Sequence, residues 1–389
     1  MEKISLERIS ACALNRIFGY EPLVSLEFVR SLGSASAVFN LSSQEIDEVL
    51  GPFNKHKGLI NDGLLESAQK ELEMLAGQGC YFLSYTEEGY PEALRECEDA
   101  PIGIYIRSEM PPEQVFDSRP AISVVGTRDI SPYGKEWCPK LIGAISQAPS
   151  KPLIVSGLAF GVDITAHMAA IAYGLPTVAV LPGPINEVYP KAHITAAGKI
   201  IHHPHSALVT DYPPGTSPAA HTFLRRNRII AGLSQATVLV ESKVKGGGIM
   251  TCRLAQGYGR DVFALPGRID DIRSGGCNML LREKVAEPIN SLEDVGEQLG
   301  LGRYNLRRSE DLTSKLKDIY AALPEGAEKK ALLETALLIK KNRGITIEGI
   351  CDLTEMAYRD VSPIVGRLES DGVISIDLMQ RCTINTKIC

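Results

Sequence analysis

The sequence predicts an α/β protein with a central parallel sheet, an N-terminal helical domain and a C-terminal winged-helix-like domain. Between residues 121 and 290, short apolar runs rich in Val and Ile alternate with helix-like stretches. Apolar strands interleaved with helices are typical of a parallel sheet covered on both faces. The six runs are AISVVG, KPLIVSG, PTVAVLPG, SALVTDYP, ATVLVES and DVFALPG.

Residues 1–80 are predicted to form the N-terminal helical domain. Apolar residues recur there at three-to-four spacing, and each pattern ends near a glycine. The helical segments are 5–19, 22–33, 43–51 and 56–79. The apolar runs CYFLSY and GIYIR then predict two strands on either side of a loop-rich connector. The central domain is predicted to span residues 81–300.

The C-terminal part divides into a polar linker, 301–327, and a small domain, 328–389. In the small domain the order of patterns is helix, helix, helix, strand, strand, which is the order of a winged helix. The third helical pattern, 358–372, carries two arginines against three acidic residues. Because phosphate neutralisation supplies much of nonspecific duplex affinity, we expect a protein contact rather than duplex binding there.

Composition excludes several classes of protein. No apolar run approaches the roughly 20 residues that span a bilayer, so we expect no membrane protein. The first ten residues lack a signal-peptide pattern. The nine cysteines are scattered and include no C-x-x-C pair. A disulfide framework or zinc ribbon is therefore not expected, and a reducing cytoplasm is the simplest location.

Charge is distributed unevenly along the chain. The formal net charge is −6, and residues 1–90 alone, with 7 basic and 13 acidic residues, carry −6. Residues 121–290 have 17 basic and 11 acidic residues, a net of +6. Because fields are screened within about 8–10 Å, local charge matters more than the total. The pattern favours an anionic ligand at the central domain, with scatter as the alternative.

Two strand–helix junctions are suited to bind that ligand, because ligands of open parallel sheets lie at the carboxyl ends of the strands. The first is Gly126-Thr127-Arg128, where glycine permits close approach and arginine matches a phosphate. The second contains Ser156, Gly157 and Gly161, whose spacing is not the G-x-G-x-x-G fingerprint. Glycines that serve only tight turns are the alternative at each junction.

A third candidate is the run from His221 to Gly232, which contains Phe223, Arg225, Arg226, Asn227 and Arg228. An aromatic ring can stack on a base while arginines bind phosphates, the usual combination for single-stranded nucleic acid. On a helix, Arg225 and Arg228 share a face while Arg226 projects elsewhere. The alternative is a solvated basic helix start with Phe223 in the core. We expect at least one arginine to pair with a carboxylate such as Asp163 or Glu241.

Other features are weaker. The cluster His202-His203-Pro204-His205 lacks a neighbouring Cys or carboxylate at ligand spacing, so a metal site is not expected. Asp163 and His167, four residues apart, are interpreted as a helix cap and a packed histidine. The glycine triplet 246–248, which follows Lys243 and Lys245, can form a phosphate site or a plain loop. P-loop, G-x-S-x-G and H-E-x-x-H motifs are all absent from the sequence.

Taken together, these motifs resemble the DprA (Smf) family of bacterial DNA-processing proteins. The resemblance covers about residues 120–285 and rests on motifs in the family's order. They are Gly126-Thr127-Arg128, Ser156-Gly157-Leu158-Ala159, Val188-Tyr189-Pro190, Tyr212-Pro213-Pro214-Gly215, Arg225-Arg226-Asn227-Arg228-Ile229-Ile230, Leu265-Pro266-Gly267 and Gly276-Cys277-Asn278.

The resemblance implies an extended Rossmann-like fold, flanked by a helical, SAM-like N-terminal domain. It implies single-stranded DNA binding without sequence preference, with neither catalysis nor a cofactor. It also implies displacement of single-strand-binding protein, loading of RecA for recombination in natural transformation, and a homodimer. The implied DNA-binding residues are Gly126, Thr127, Arg128, Ser156, Gly157, Gly161, Lys191, Phe223, Arg225, Arg226, Asn227 and Arg228.

Three departures from the family pattern stand out. Leu224 replaces the usual proline, Phe18-Gly19-Tyr20 replaces a Gly-hydrophobic-Gly hairpin, and Lys-Val-Lys-Gly-Gly-Gly after Ser242 replaces a shorter segment. With its net of −6, the N-terminal domain is not expected to hold DNA. Two other hypotheses stay open. One is a nucleotide-binding enzyme or sensor using Glu241 or Asp163, and the other is a transcription regulator using the winged helix.

Overall fold

The computed structural model describes residues 4–51, 55–301, 316–317, 319–321, 323–324, 326–342, 345–376 and 380–384. The chain divides into two compact units, Met1–Tyr304 and Asn305–Cys389. The predicted boundary at residue 80 falls inside the first unit. Most of the predicted linker, and the ends of the last two predicted strand segments, lie outside the described residues.

The first unit is built on a nine-stranded sheet whose order is β1-β2-β6-β5-β4-β3-β7-β8-β9. The strands are β1 Cys80–Ser84, β2 Gly103–Arg107, β3 Ala121–Gly126, β4 Leu153–Ser156, β5 Thr177–Val180, β6 Ala207–Thr210, β7 Ala236–Glu241, β8 Asp261–Ala264 and β9 Glu287–Pro288. Strands β1 and β2 pair antiparallel, and β2 pairs antiparallel with β6. Across the rest of the sheet, in the order β6-β5-β4-β3-β7-β8-β9, each strand is parallel to its neighbour.

The six apolar runs of the central domain form β3 to β8, which confirms the predicted parallel sheet. After β3 the chain adds β4, β5 and β6 on one side and then returns to place β7 on the other side. The order in which successive strands are added to the sheet therefore reverses between β3 and β7, although the two strands are parallel. In doubly wound folds the carboxyl ends of such a strand pair leave a crevice in which ligands bind.

Helices cover both faces of the sheet. They are α1 Leu6–Phe18, α2 Pro22–Leu32, α3 Ala35–Val38, α4 Ser43–Leu50, α5 Asp62–Ala76, α6 Glu92–Arg95, α7 Pro112–Val115, α8 Pro132–Ile145, α9 Val162–Ala172, α10 Ile194–Ile201, α11 Ala220–Gly232, α12 Gly247–Gly257, α13 Gly275–Arg282 and α14 Val295–Gln298. Helices α8 and α9 pack on one face with Ile122 and Val238. Helices α11 and α12 pack on the other face with Val125 and Leu239.

The N-terminal helices share a core with the sheet. Phe18 and Phe28 lie in one apolar cluster with Phe82 of β1 and Tyr105 of β2. The side-chain amide of Asn15 also donates to the carbonyl oxygen of Asp211 at 2.8 Å. These contacts place the turn between α1 and α2 beside the segment that follows β6.

The described part of the second unit includes helices and a small antiparallel sheet of order β10-β12-β11. Its elements are α15 Ala327–Lys341, β10 Ile345–Thr346, α16 Ile347–Thr354, α17 Tyr358–Ser370, β11 Ile374–Ile376 and β12 Arg381–Ile384. All three helical patterns of the sequence form helices here, whereas the two-residue strand β10 was not predicted. In α17, Arg367 lies 3.4 Å from Glu328 and 3.3 Å from Asp371, so its charge is locally compensated.

Within the described part of the chain, no helix is long and apolar enough to cross a membrane.

Candidate nucleic-acid interface

A cleft of about 310 Å³ lies at the carboxyl ends of β3 and β7, where the order of strand addition reverses. We call it the switch-point cleft. It is lined by Val125, Gly126, Thr127, Arg128, Asp129, Ala159, Asp163, Phe223, Leu224, Arg226, Asn227, Ile230, Lys243, Lys245, Gly246, Gly247, Gly248 and Thr251. Two of the predicted junctions and the basic run on α11 therefore contribute to one site.

The turn after β3 is fixed by its backbone. Thr127 N donates to the carbonyl oxygen of Glu241 at 2.7 Å, and Val162 N donates to the carbonyl oxygen of Thr127 at 3.1 Å. Gly161 has φ +78° and ψ −121°, and a Cβ there would lie 2.2 Å from the Thr127 carbonyl oxygen. Only glycine fits that position. Gly161 thus sets the place of Arg128 without lining the cleft itself.

Arg128 and Phe223 form the central pair of the cleft. The guanidinium carbon of Arg128 lies 4.6 Å from the centre of the Phe223 ring. The Tyr189 ring meets Phe223 edge-on, with 5.4 Å between ring centres. Arg128 is exposed and has no ion pair among the described residues. The pair offers a positive charge and an aromatic ring at one place, which suits a nucleotide.

Arg226 forms the floor of the cleft and is 3% exposed. It donates to the carbonyl oxygens of Gly157, at 2.6 Å, and Val180. Its nearest carboxylate, that of Asp163, is 3.9 Å away. Gly157 leaves the space for this guanidinium, because a Cβ there would lie within 2.4 Å of it. The predicted pairing of one arginine with Asp163 is thus found.

Burial explains the electrostatics of this floor. Burial and, to a smaller extent, the positive charge of Arg128 lower the pKa of Arg226 to about 10, against the opposing effect of the Asp163 carboxylate. Burial likewise raises the pKa of Asp163 above its ordinary value. Two guanidinium groups that repel each other line one cleft, and among the described residues only that of Arg226 has an ion pair, with Asp163. An anion bound between Arg128 and Arg226 would relieve that repulsion.

Asn227 adds a directed donor. It is 7% exposed, and its side-chain oxygen accepts a hydrogen bond from Nε of Arg226 at 3.1 Å. Because arginine only donates, this contact assigns the oxygen and leaves the Asn227 amide NH₂ as the free end. Its NH₂ group has no hydrogen bond to the described residues. Asn227 can therefore donate to a phosphate or base oxygen in the cleft.

The remaining predicted residues lie outside the cleft. Ser156 is fully buried and donates to the Val124 carbonyl oxygen at 2.6 Å, so it joins two strands. Lys191 is exposed at the start of a 3₁₀ turn, two residues beyond Tyr189. Arg225 lies on another flank of α11, with its guanidinium carbon 4.7 Å from the Tyr20 ring.

Arg228 is placed in the protein interior. It is 5% exposed, donates to Asp211 Oδ2 at 2.5 Å and donates to the carbonyl oxygen of Asp99. Burial alone would lower its pKa, but the carboxylates of Asp211 and Asp99 hold it above the ordinary value. The structure therefore does not bring Arg228 to the site.

The segment 243–248 brings residues that the site prediction omitted. Lys243 and Lys245 are exposed, line the cleft and have no ion pair among the described residues. Gly246 caps α12, whose first turn borders the same space. The signal in the sequence was a Lys-Val-Lys-Gly-Gly-Gly stretch between an apolar strand and a helix, which left a phosphate loop and a plain loop equally open.

Glu241 is turned away from the cleft lining. It is 1% exposed, and its Oε2 accepts a hydrogen bond from Ser131 N at 2.9 Å, at the start of α8. Its Oε1 has no hydrogen-bond partner among the described residues. Glu241 thus caps a helix from the end of β7. His167 is also buried, and its Nδ1 lies 2.7 Å from Thr177 Oγ1, as a packed histidine would.

The fold and the cleft define a doubly wound α/β protein with a basic, aromatic-lined cleft between β3 and β7, where the order of strand addition reverses. The sequence model of the DNA recombination-mediator protein A family matches residues 81–300. The chain belongs to this family of DNA-processing proteins.

Individual relatives agree with this assignment. The DNA processing protein DprA of Streptococcus pneumoniae is 37% identical over 212 residues, which are 54% of this chain and 72% of that protein. An X-ray structure of DprA from that organism has a TM-score of 0.64 at 30% identity, and covers 76% of this chain and 99% of that chain. A Helicobacter pylori DprA, whose structure was described for its single-stranded DNA binding mode, has a TM-score of 0.50 at 26% identity. It covers 57% of this chain and 96% of that chain.

Proposed function

We propose that the chain binds single-stranded DNA without sequence preference, through the switch-point cleft. The observation that carries the proposal is the Arg128 guanidinium, which lies 4.6 Å from the centre of the Phe223 ring in the switch-point cleft. Lys243 and Lys245, which also line the cleft, add exposed positive charge. Phosphates can bind to these cations while a base contacts Phe223.

The cleft favours a single strand over a duplex. Stacking on Phe223 requires a base whose face is free, and a base pair within a duplex has no free face. Contacts to phosphates and stacking on an aromatic ring do not distinguish one base from another. The Asn227 NH₂ is a single donor group, since the amide oxygen beside it already accepts from Arg226, and one donor is too little to distinguish a sequence of bases. Affinity should therefore depend on salt and on the strand being unpaired, but little on its sequence.

Membership of the DNA recombination-mediator protein A family supports a proposal for the role in the cell. We propose that the protein displaces single-strand-binding protein, loads RecA on the exposed strand and acts as a homodimer during natural transformation, without catalysis. A test is RecA ATPase activity on DNA coated with single-strand-binding protein. Addition of this protein should shorten the lag before ATP hydrolysis, and the Phe223→Ala variant should not. An unchanged lag with the wild type would refute RecA loading while leaving DNA binding intact.

Fluorescence anisotropy with a labelled oligo-dT of about 35 nucleotides tests the binding site. Stacking is worth about 1–3 kcal/mol per base, so Phe223→Ala should weaken binding about 5- to 150-fold. Arg128→Ala should weaken it as well and flatten its salt dependence.

The matched controls are Tyr173→Ala and Arg119→Ala. Tyr173 is 46% exposed at the end of α9, and Arg119 precedes β3 at the end of that strand opposite Arg128. Equal losses in variants and controls would overturn the site.

A further inference from the structure

An aromatic cluster lies at the start of α11, where Tyr20, on the turn between α1 and α2, contacts Tyr212 and His221. The Tyr20 ring centre is 5.9 Å from that of Tyr212 and 6.0 Å from that of His221. Tyr212 is buried, whereas Tyr20 is 52% exposed and His221 is exposed. Tyr20 therefore rests on a fixed ring and leaves about half of its surface open to solvent.

A cation with free donors lies against the same ring. The guanidinium carbon of Arg225 is 4.7 Å from the Tyr20 ring centre. The Nε and Nη2 atoms of Arg225 have no hydrogen-bond partner among the described residues, although both are buried. The nearby carboxylate of Asp211 is already held by Arg228 at 2.5 Å. The third nitrogen, Nη1, is not among these buried atoms, so an anion can approach the Arg225 guanidinium there.

This cluster repeats the arrangement of the switch-point cleft on the other flank of one helix. In the cleft an arginine faces Phe223 at 4.6 Å, and here an arginine faces Tyr20 at 4.7 Å. Phe223 and Arg225 are two residues apart, so they project from opposite sides of a helix about 10 Å wide. Leu224, 51% exposed, lies between them. A strand that leaves the cleft across the start of α11 meets the second pair.

We propose that Tyr20, His221 and Arg225 form a second subsite, which binds a nucleobase and phosphate of the strand beyond the switch-point cleft. The inference rests on the proposed single-stranded DNA binding and adds the N-terminal helices to the interface. The net charge of the N-terminal domain led us to expect no DNA binding there, and the inference revises that expectation. Stacking on Tyr20 needs no positive charge, and α11 supplies the cation, Arg225. Glu21, the residue after Tyr20, has its carboxylate oxygen Oε1 3.7 Å from Nε2 of His56.

Strand length separates this subsite from the cleft. Site sizes for single strands run from about 4 to 16 nucleotides, so anisotropy is measured with oligo-dT of about 6 and about 20 nucleotides. Tyr20→Ala should weaken binding of the long strand about 5- to 150-fold and leave the short strand unchanged. Tyr20→Phe should bind both strands like the wild type. The control is Tyr81→Ala, which removes a tyrosine 39% exposed on β1.

Each other outcome is decisive. Equal weakening of both strands would mean that Tyr20 only holds α11 in place, which overturns the subsite. Unchanged binding of the long strand overturns it too. If the wild type bound neither strand, the proposed function itself would fail, and the variants would not be needed to show it.

Fluorescence gives a readout that a purely structural role would not move. Trp137 is the single tryptophan of the chain and borders a different cavity, beside Tyr133. In a Trp137→Phe background, Tyr20→Trp places the only indole at the proposed subsite. The long strand should quench this indole by stacking on it, and the short strand should not. Absence of quenching at a concentration where anisotropy shows saturation would overturn base contact at this position.

Discussion

The two inward arginines of α11 should be stabilising residues, and Arg228 gives the clearest test. Arg228→Met removes the cation that pairs with Asp211, which is itself 2% exposed. Asp211 Oδ1 already lacks a hydrogen-bond partner among the described residues. The variant would therefore leave an uncompensated buried carboxylate. Breaking a buried pair in this way costs about 3–5 kcal/mol, or roughly 5–8 °C in melting temperature for a unit of about 300 residues.

Thermal and denaturant unfolding of the full chain measure this loss. Arg225→Met is the matched control, because Arg225 is half-buried and has no ion pair among the described residues, and it should cost about 1 kcal/mol. Arg228→Met combined with Asp211→Asn should recover part of the stability, since a neutral amide needs no cation. A stable Arg228→Met protein that has lost DNA binding would refute the reasoning and make Arg228 a DNA contact.

Three further predictions concern pH, backbone and salt. Burial lowers the pKa of His167 from 6.5 to about 3, so the unfolded chain binds the proton first and stability is lost as pH falls below about 6.5. Between pH 7 and pH 5 the His167 side chain should reduce the free energy of unfolding by about 2 kcal/mol. Urea titrations at several pH values should show that His167→Gln lacks this part of the pH dependence. Gly161→Ala should destabilise the protein by more than Gly174→Ala. Both glycines have positive φ, but only at Gly161 would the added Cβ also clash with a backbone oxygen. Similar melting temperatures for the two variants would contradict this. Lys243→Ala and Lys245→Ala should each reduce the slope of log K against log salt by about 0.7, and an unchanged slope would remove that lysine from the phosphate path.

The strands could be predicted where several buried residues follow one another. The run ATVLVES, for example, forms β7, all of whose residues are buried. By contrast, β9 has two exposed residues and α3 only four residues, so neither leaves a periodic pattern in the sequence. Their conformation depends on tertiary contacts, which a local pattern does not contain.

The site was predictable in its residue types but not in their directions. Helical spacing separates Arg226 from Arg228, yet both are buried because α11 is covered on two sides. The Gly157 and Val180 carbonyls accept from one arginine, and the Asp99 carbonyl accepts from the other. Periodicity indicates which residues share a face, but not how many faces neighbouring elements cover. Only the folded arrangement shows Arg225 against Tyr20, some 200 residues apart in the sequence.

The most direct test of the account is a competition measurement on the wild-type protein. A labelled oligo-dT bound to the chain is displaced in turn by unlabelled single strand, by matched duplex and by a mononucleotide. The account predicts that the single strand displaces the probe at the lowest concentration, in a salt-sensitive way, and that the mononucleotide displaces it poorly because it offers one phosphate and one base. Displacement by the mononucleotide at the same concentration as by the strand would contradict the account and favour a nucleotide-binding enzyme or sensor.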